Sequence, residues 1–213
     1  MVVASLCDVV VTTGNFPLLS GVDLTLEGST TYVITGPNGA GKTSLLRLLA
    51  GLEVPSRGSG TVLGFDICSA ERRELRRHVG WLGHETSFYP DLSPTENLLF
   101  AARTTGADVD SIYSALDRVG LTHRAKVPLK SLSAGQQRRV SIAWFLVRRP
   151  QLWLMDEPFA SLDDEGRVLI SELIVAAQTG GATVVFTSHG ALPAETLATS
   201  IVMVGGRIAE VAS

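Results

Sequence analysis

Cysteine is nearly missing from this chain of 213 residues. Cys7 and Cys68 stand alone, with no CxxC spacing. That excludes a disulfide scaffold and a thiolate metal cluster, and leaves two buried thiols in a reducing compartment as the expectation. Charge is also scarce, at 18% of residues with a net −3. A general nucleic-acid surface is therefore disfavoured, and some surface is expected to be covered by partners. No apolar run reaches the ~18 residues of a membrane span. The opening MVVASLCDVV has neither a basic segment nor a cleavage site, so no export signal is expected. The four histidines show no metal-ligand spacing. What is plentiful is apolar content, 45%, enough for the core of one large domain or two small ones.

The pattern along the chain alternates. VDLTLE (22–27) has the period of a half-buried strand, TYVIT (31–35) is a short β-rich run, and KTSLLRLLAG (42–51) is helical. GTVLGFDI (60–67) reads as a further strand and ERRELRRHV (71–79) as a helix whose arginines form a solvated face. SPTENLLFAAR (93–103) opens with Ser93, Pro94 and Glu96, the signature of a capped helix start. DSIYSALDRVG (110–120) is an amphipathic helix. QLWLM (151–155), ATVVFTS (182–188) and SIVMV (200–204) are continuous apolar runs, as expected of buried parallel strands, and GG at 205–206 predicts a closing hairpin. The sum is an α/β chain with a mainly helical stretch from about 86 to 148, a parallel sheet, and a small antiparallel sheet beside it.

GPNGAGKT (36–43) fits GxxxxGK(S/T), with a predicted strand before it and a helix after. Gly36, Gly39 and Gly41 let main-chain amides turn toward phosphate oxygens, and Pro37, Asn38, Ala40 and Ser44 complete the loop. Lys42 supplies a point charge for the β and γ phosphates, and Thr43 a hydroxyl for Mg²⁺. GxGxxG is absent, so this is no dinucleotide fingerprint. LWLMDEP (152–158) delivers Asp156 to a strand end, suited to Mg²⁺, and sets Glu157 to polarise a water. His189, closing VVFTSH, falls at the same sheet edge and within reach of a γ-phosphate. LSAGQ (Leu132, Ser133, Ala134, Gly135, Gln136) leads into a helix and offers a second anion site, which raises the question of whose phosphate it holds.

GPNGAGKT, LSAGQ, LWLMDEP, SLD (161–163) and His189, in this order and spacing, resemble the ATP-binding cassette family over essentially the whole chain. The resemblance implies a P-loop NTPase fold in one ATPase domain. It has a RecA-like core with an antiparallel β subdomain (about 1–85 and 149–213) and an inserted helical subdomain (about 86–148) carrying the signature. It implies ATP and Mg²⁺ as ligands, with Asp156 as the magnesium aspartate, Glu157 as the catalytic glutamate, Asp163 in the D-loop and His189 as the switch histidine. It also implies a head-to-tail homodimer in which each LSAGQ meets the γ-phosphate held by the other chain, joined to integral membrane permeases at the cytoplasmic face of the inner membrane. No nucleic-acid partner is expected. Two departures stand out. His84, in LGHET, occupies the position where the family usually has a glutamine, and Phe16 is the nearest aromatic for stacking on adenine. LGHE, LSPTENLLF, LSAGQQRRVSIA and DEPFASLD further resemble the ATP-binding subunits of heme exporters in cytochrome c biogenesis. Another exporter's cassette remains an alternative, decided by the absent permease. A soluble cassette acting on DNA or ribosomes is the other. It calls for long coiled-coil insertions or a second cassette, and this chain has one of each motif.

Overall fold

The computed structural model describes residues 1–14, 16–83, 88–189 and 196–212. β1 (Val2–Thr13) and β2 (Phe16–Glu27) form a long antiparallel pair, and β3 (Thr31–Thr35) then runs into α1 (Lys42–Leu49). β4 (Arg57–Val62) and β5 (Phe65–Asp66) follow, then α2 (Arg72–His78) and β6 (Val79–Leu82). The helical stretch holds α3 (Pro94–Thr105), α4 (Ile112–Arg118) and α5 (Ala134–Arg148). β7 (Leu152–Met155), α6 (Asp164–Thr179), β8 (Thr183–Thr187), β9 (Thr199–Val204) and β10 (Arg207–Ala212) complete it. One sheet is antiparallel, ordered β2-β1-β4-β5. The other is ordered β10-β9-β3-β8-β7-β6, parallel except for the β9–β10 hairpin.

The larger sheet is buried on both faces, which is why its strands read as continuous apolar runs. Tyr32, Ile34, Leu152, Leu154 and Val185 point into one apolar cluster with α1 and the antiparallel sheet. Val33, Trp153, Met155, Val184 and Phe186 point into the other, with the helices α3 to α6. The C-terminal ends of β3, β7 and β8 therefore converge on one edge, where open α/β sheets bind ligands.

Two expectations need correction. Residues 60–67 are not one strand: Leu63 and Gly64 both take positive φ (50° and 82°), and Val62 pairs with Phe65 across a two-residue turn. The thiols are not buried either. Cys7 lies on the outward face of β1 beside inward Leu6, and Cys68 is exposed after β5.

The capped start of α3 is present as read. Ser93 Oγ accepts from the Glu96 amide at 3.3 Å, and Glu96 Oε2 accepts from the Ser93 amide at 2.8 Å. Ser93→Ala is expected to cost about 1 kcal/mol of stability. The urea midpoint should fall with an unchanged slope, and hydrolysis per folded molecule should stay at the wild-type value.

Candidate functional site

The loop 36–43 leaves β3 at the convergent sheet edge and feeds α1, whose first amides have no partner within the helix. Two of its three glycines are held there by packing as well as by φ, and Gly39 by φ (77°) alone. At Gly36 (φ 135°) a side chain would run into the Met203 carbonyl, and at Gly41 (φ 98°) a Cβ would lie 2.7 Å from the Leu18 carbonyl. Pro37, Asn38 and Gly39 are exposed while Ala40 and Lys42 are buried. The Lys42 ammonium donates to the Gly36 and Pro37 carbonyls at 2.8 and 3.0 Å, spanning the mouth of the loop.

Asp156 follows β7 directly and is 6% exposed. Its Oδ2 accepts from Thr43 Oγ1 at 2.8 Å and its Oδ1 from Thr187 Oγ1 at 2.6 Å. Thr187 Oγ1 in turn accepts from the Glu157 amide at 2.9 Å. Glu157 is in the left-handed region, φ 51°, a conformation that costs a non-glycine residue of order 1–3 kcal/mol. The turn aims its carboxylate at His189, whose Nε2 lies 3.0 Å from Glu157 Oε1. Lys42, Thr43, Asp156, Glu157 and His189 thus lie on three adjoining segments of one sheet edge. His84 lies outside the described residues. Phe16, 77% exposed, sits opposite Thr13 at the tip of the β1–β2 pair.

The signature stretch lies elsewhere. Leu132 is buried, and Ser133 caps α5 through a reciprocal pair: its Oγ accepts from the Gln136 amide at 3.2 Å, and Gln136 Oε1 accepts from the Ser133 amide at 3.1 Å. Ala134 and Gly135 are the first residues of the helix. Gly135 packs on the segment before α6, where a Cβ would meet the Ser161 carbonyl at 2.9 Å. Asp163 caps α6 by accepting from the Gly166 amide at 2.9 Å and takes an ion pair from Arg139 at 3.3 Å. Ser133, Gly135, Gln136, Arg139, Ser161 and Asp163 line one concavity, and no residue of the phosphate loop lines it. The signature stretch and the loop 36–43 therefore lie on separate surfaces.

Sequence reasoning missed Thr187 and Arg138. Thr187 ends an apolar run yet is fully buried, and its hydroxyl serves both Asp156 and Glu157. Arg138, next to the arginine that meets Asp163, is 8% exposed and donates to the main-chain carbonyls of Gly83, Asp156 and Glu157. A buried polar end to a strand was the available signal for the first. Nothing in the local pattern separates Arg138 from a surface arginine.

Comparison with known proteins identifies the family and the fold. The family described as ABC transporter matches residues 19–160. The cytochrome c biogenesis ATP-binding export protein CcmA of Pseudomonas fluorescens is 42% identical over 176 residues, 82% of this chain and 83% of the relative. Its counterpart CcmA 2 of Cupriavidus metallidurans is 39% identical over 184 residues, 85% and 87% of the two chains. A dimeric ATP-binding cassette solved in a post-hydrolysis state with ADP and Pi superposes with a TM-score of 0.88 at 24% identity, over 98% of this chain and 97% of that one. The cbiO1 protein of Clostridium perfringens, part of the ABC transporter complex cbiONQ, gives 0.86 at 26% identity, over 99% and 88%. By sequence over most of its length, and by a fold that puts a phosphate loop and an acidic strand end at one sheet edge, the chain belongs to the ABC transporter family as one of its ATP-binding cassettes.

Proposed function

We propose that this cassette hydrolyses ATP to drive a heme exporter of cytochrome c biogenesis, working as a head-to-tail homodimer on membrane permease subunits at the cytoplasmic face of the inner membrane. The observation that carries the export assignment is the 42% identity with the Pseudomonas CcmA across more than four fifths of both chains.

The chemistry follows from the residues. Residues 36–44 wrap the phosphates, and Lys42 neutralises the β and γ oxygens. Phe16, exposed at the tip of the β1–β2 pair, is the candidate to stack on the base. The Thr43 hydroxyl and Asp156 carboxylate, 2.8 Å apart, make the hard oxygen pair that would hold Mg²⁺. When bound, the ion would offset charge on the phosphates. Glu157 takes a proton from the attacking water, and His189 orients Glu157 and faces the γ-phosphate. Leu132, Ser133, Ala134, Gly135 and Gln136 close the partner's site, with Asp163 beside them.

The domain division about 1–85 with 149–213, and 86–148, gives the signature its own lever. Heme selectivity is assigned to the permeases, because the cassette supplies the hydrolysis and the permeases the path of the cargo. No described helix is long and apolar enough to cross a membrane. The permease docks along the groove behind β6, where Trp81, Phe88, Tyr89, Phe100, Trp144 and Arg148 meet. Tyr89 and Phe100 are half exposed and meet edge to face at 5.4 Å, with Tyr89 pinned by main-chain bonds to buried Asn97. Phe88 packs inward against the helical cluster.

Deleting the gene should abolish covalent heme on c-type cytochromes, seen by heme staining after denaturing electrophoresis, and the wild-type chain supplied in trans should restore it. Normal cytochrome c in the deletion strain would assign the cassette to another exporter while leaving its ATPase chemistry intact.

A further inference from the structure

Arg138 belongs to the signature helix but faces away from the signature concavity. Its guanidinium reaches the ends of two strands. Nη1 donates to the Gly83 carbonyl at 2.9 Å, just past β6, and Nη2 donates to the carbonyls of Asp156 and of Glu157, the latter at 2.5 Å. Nε is buried and has no partner among the described residues. Burial pushes the group's pKa down, against the opposing pull of the Asp156 and Glu157 charges. A buried cation held chiefly by main-chain carbonyls is costly, and packing alone would be served as well by an apolar side chain.

The conformation of Glu157 supplies the second observation. Its left-handed φ is held from both sides, by its amide on Thr187 Oγ1 and by its carbonyl under Arg138. A change in that peptide's tilt swings the carboxylate away from His189.

We propose that Arg138 is a positioning residue that locks the Glu157 backbone and thereby aims its carboxylate at the attacking water. This rests on the reading of Glu157 as the general base. A planar guanidinium can bridge carbonyls from different strands at once, and an ammonium cannot reproduce that fork.

The test uses Arg138→Lys, Arg138→Met and Arg138→Ala in purified protein, each checked for folding by circular dichroism and thermal melting. Turnover should fall by about 10²-fold while ATP affinity, read with a fluorescent analogue, stays within about threefold. Millimolar guanidinium should restore part of the turnover of Arg138→Ala, methylammonium should not, and neither should act on Glu157→Gln. In a Glu157→Gln background, Arg138→Met should add almost no further loss, because there is no base left to aim. Loss of affinity in step with turnover, unfolding of both the Lys and Met variants, or fully additive losses would each overturn the proposal in favour of a packing role. A wild-type rate in the Arg138 variants beside an inactive Glu157→Gln sinks this inference alone, whereas a wild-type rate in Glu157→Gln removes the base reading beneath it.

Discussion

Glu157→Gln should bind ATP at close to wild-type affinity and hydrolyse it 10²–10⁴-fold more slowly, on the order of what a positioned general base contributes. The amide keeps the size of the carboxylate and can still accept from His189 Nε2, now 3.0 Å from Glu157 Oε1. The backbone anchors on Thr187 and Arg138 do not involve the side chain and should survive. Only proton acceptance is lost. The protein should then accumulate with ATP bound as a dimer, measurable by sedimentation with and without nucleotide. Turnover near the wild-type rate would take Glu157 out of the base role.

Mixing two inactive variants should rebuild a working site. Lys42→Ala removes a charge-assisted contact worth about 1.5–3 kcal/mol, so its own phosphate loop binds nucleotide poorly. Ser133→Arg keeps the loop but fills the signature concavity with a bulky cation and removes the cap of α5. In a head-to-tail heterodimer one composite site carries both lesions. The other joins the intact loop of the Ser133→Arg chain to the intact signature of the Lys42→Ala chain. Nucleotide-dependent dimerisation should therefore appear in the mixture and be strongly reduced in either variant alone. An arrangement in which each chain uses its own signature predicts no repair at any ratio. Failure with both variants folded would remove the head-to-tail reading, and dimerisation is the better readout because it does not require both sites to fire.

The site was legible in the sequence where chemistry is local, and hidden where it depends on contact between distant segments. A phosphate loop needs glycines, a lysine and a hydroxyl within eight residues, so GPNGAGKT announced itself between its strand and helix. The buried strands at 151–155 and 182–188 were equally plain, because a sheet covered on both faces leaves an unbroken apolar run. β1 was not recognised. Its alternation breaks at Asp8, where φ is 48° and the pairing with β2 slips between Leu6 and Val9, so the inward residues are not evenly spaced. The turn at Leu63–Gly64 was concealed by an apolar residue in a left-handed position. Arg138 and Thr187 act through main-chain carbonyls and a carboxylate 18 to 55 residues away, and nothing in a single-sequence period reports such pairs.

The packing of Gly135 bears on how genetic data on such chains should be interpreted. Its missing side chain leaves space for the Ser161 carbonyl of the same molecule, whose φ of 62° is itself unusual for serine. An alanine there would press on Ser161 and Leu162 of the same subunit and disturb the segment that carries Asp163, whatever it did at the partner's site. An inactive allele at codon 135 thus has two causes that look alike in a growth assay: a spoiled contact across the dimer, or a dislocated loop within one subunit. Melting the purified monomer separates them, since only internal dislocation lowers its stability in the absence of nucleotide and partner.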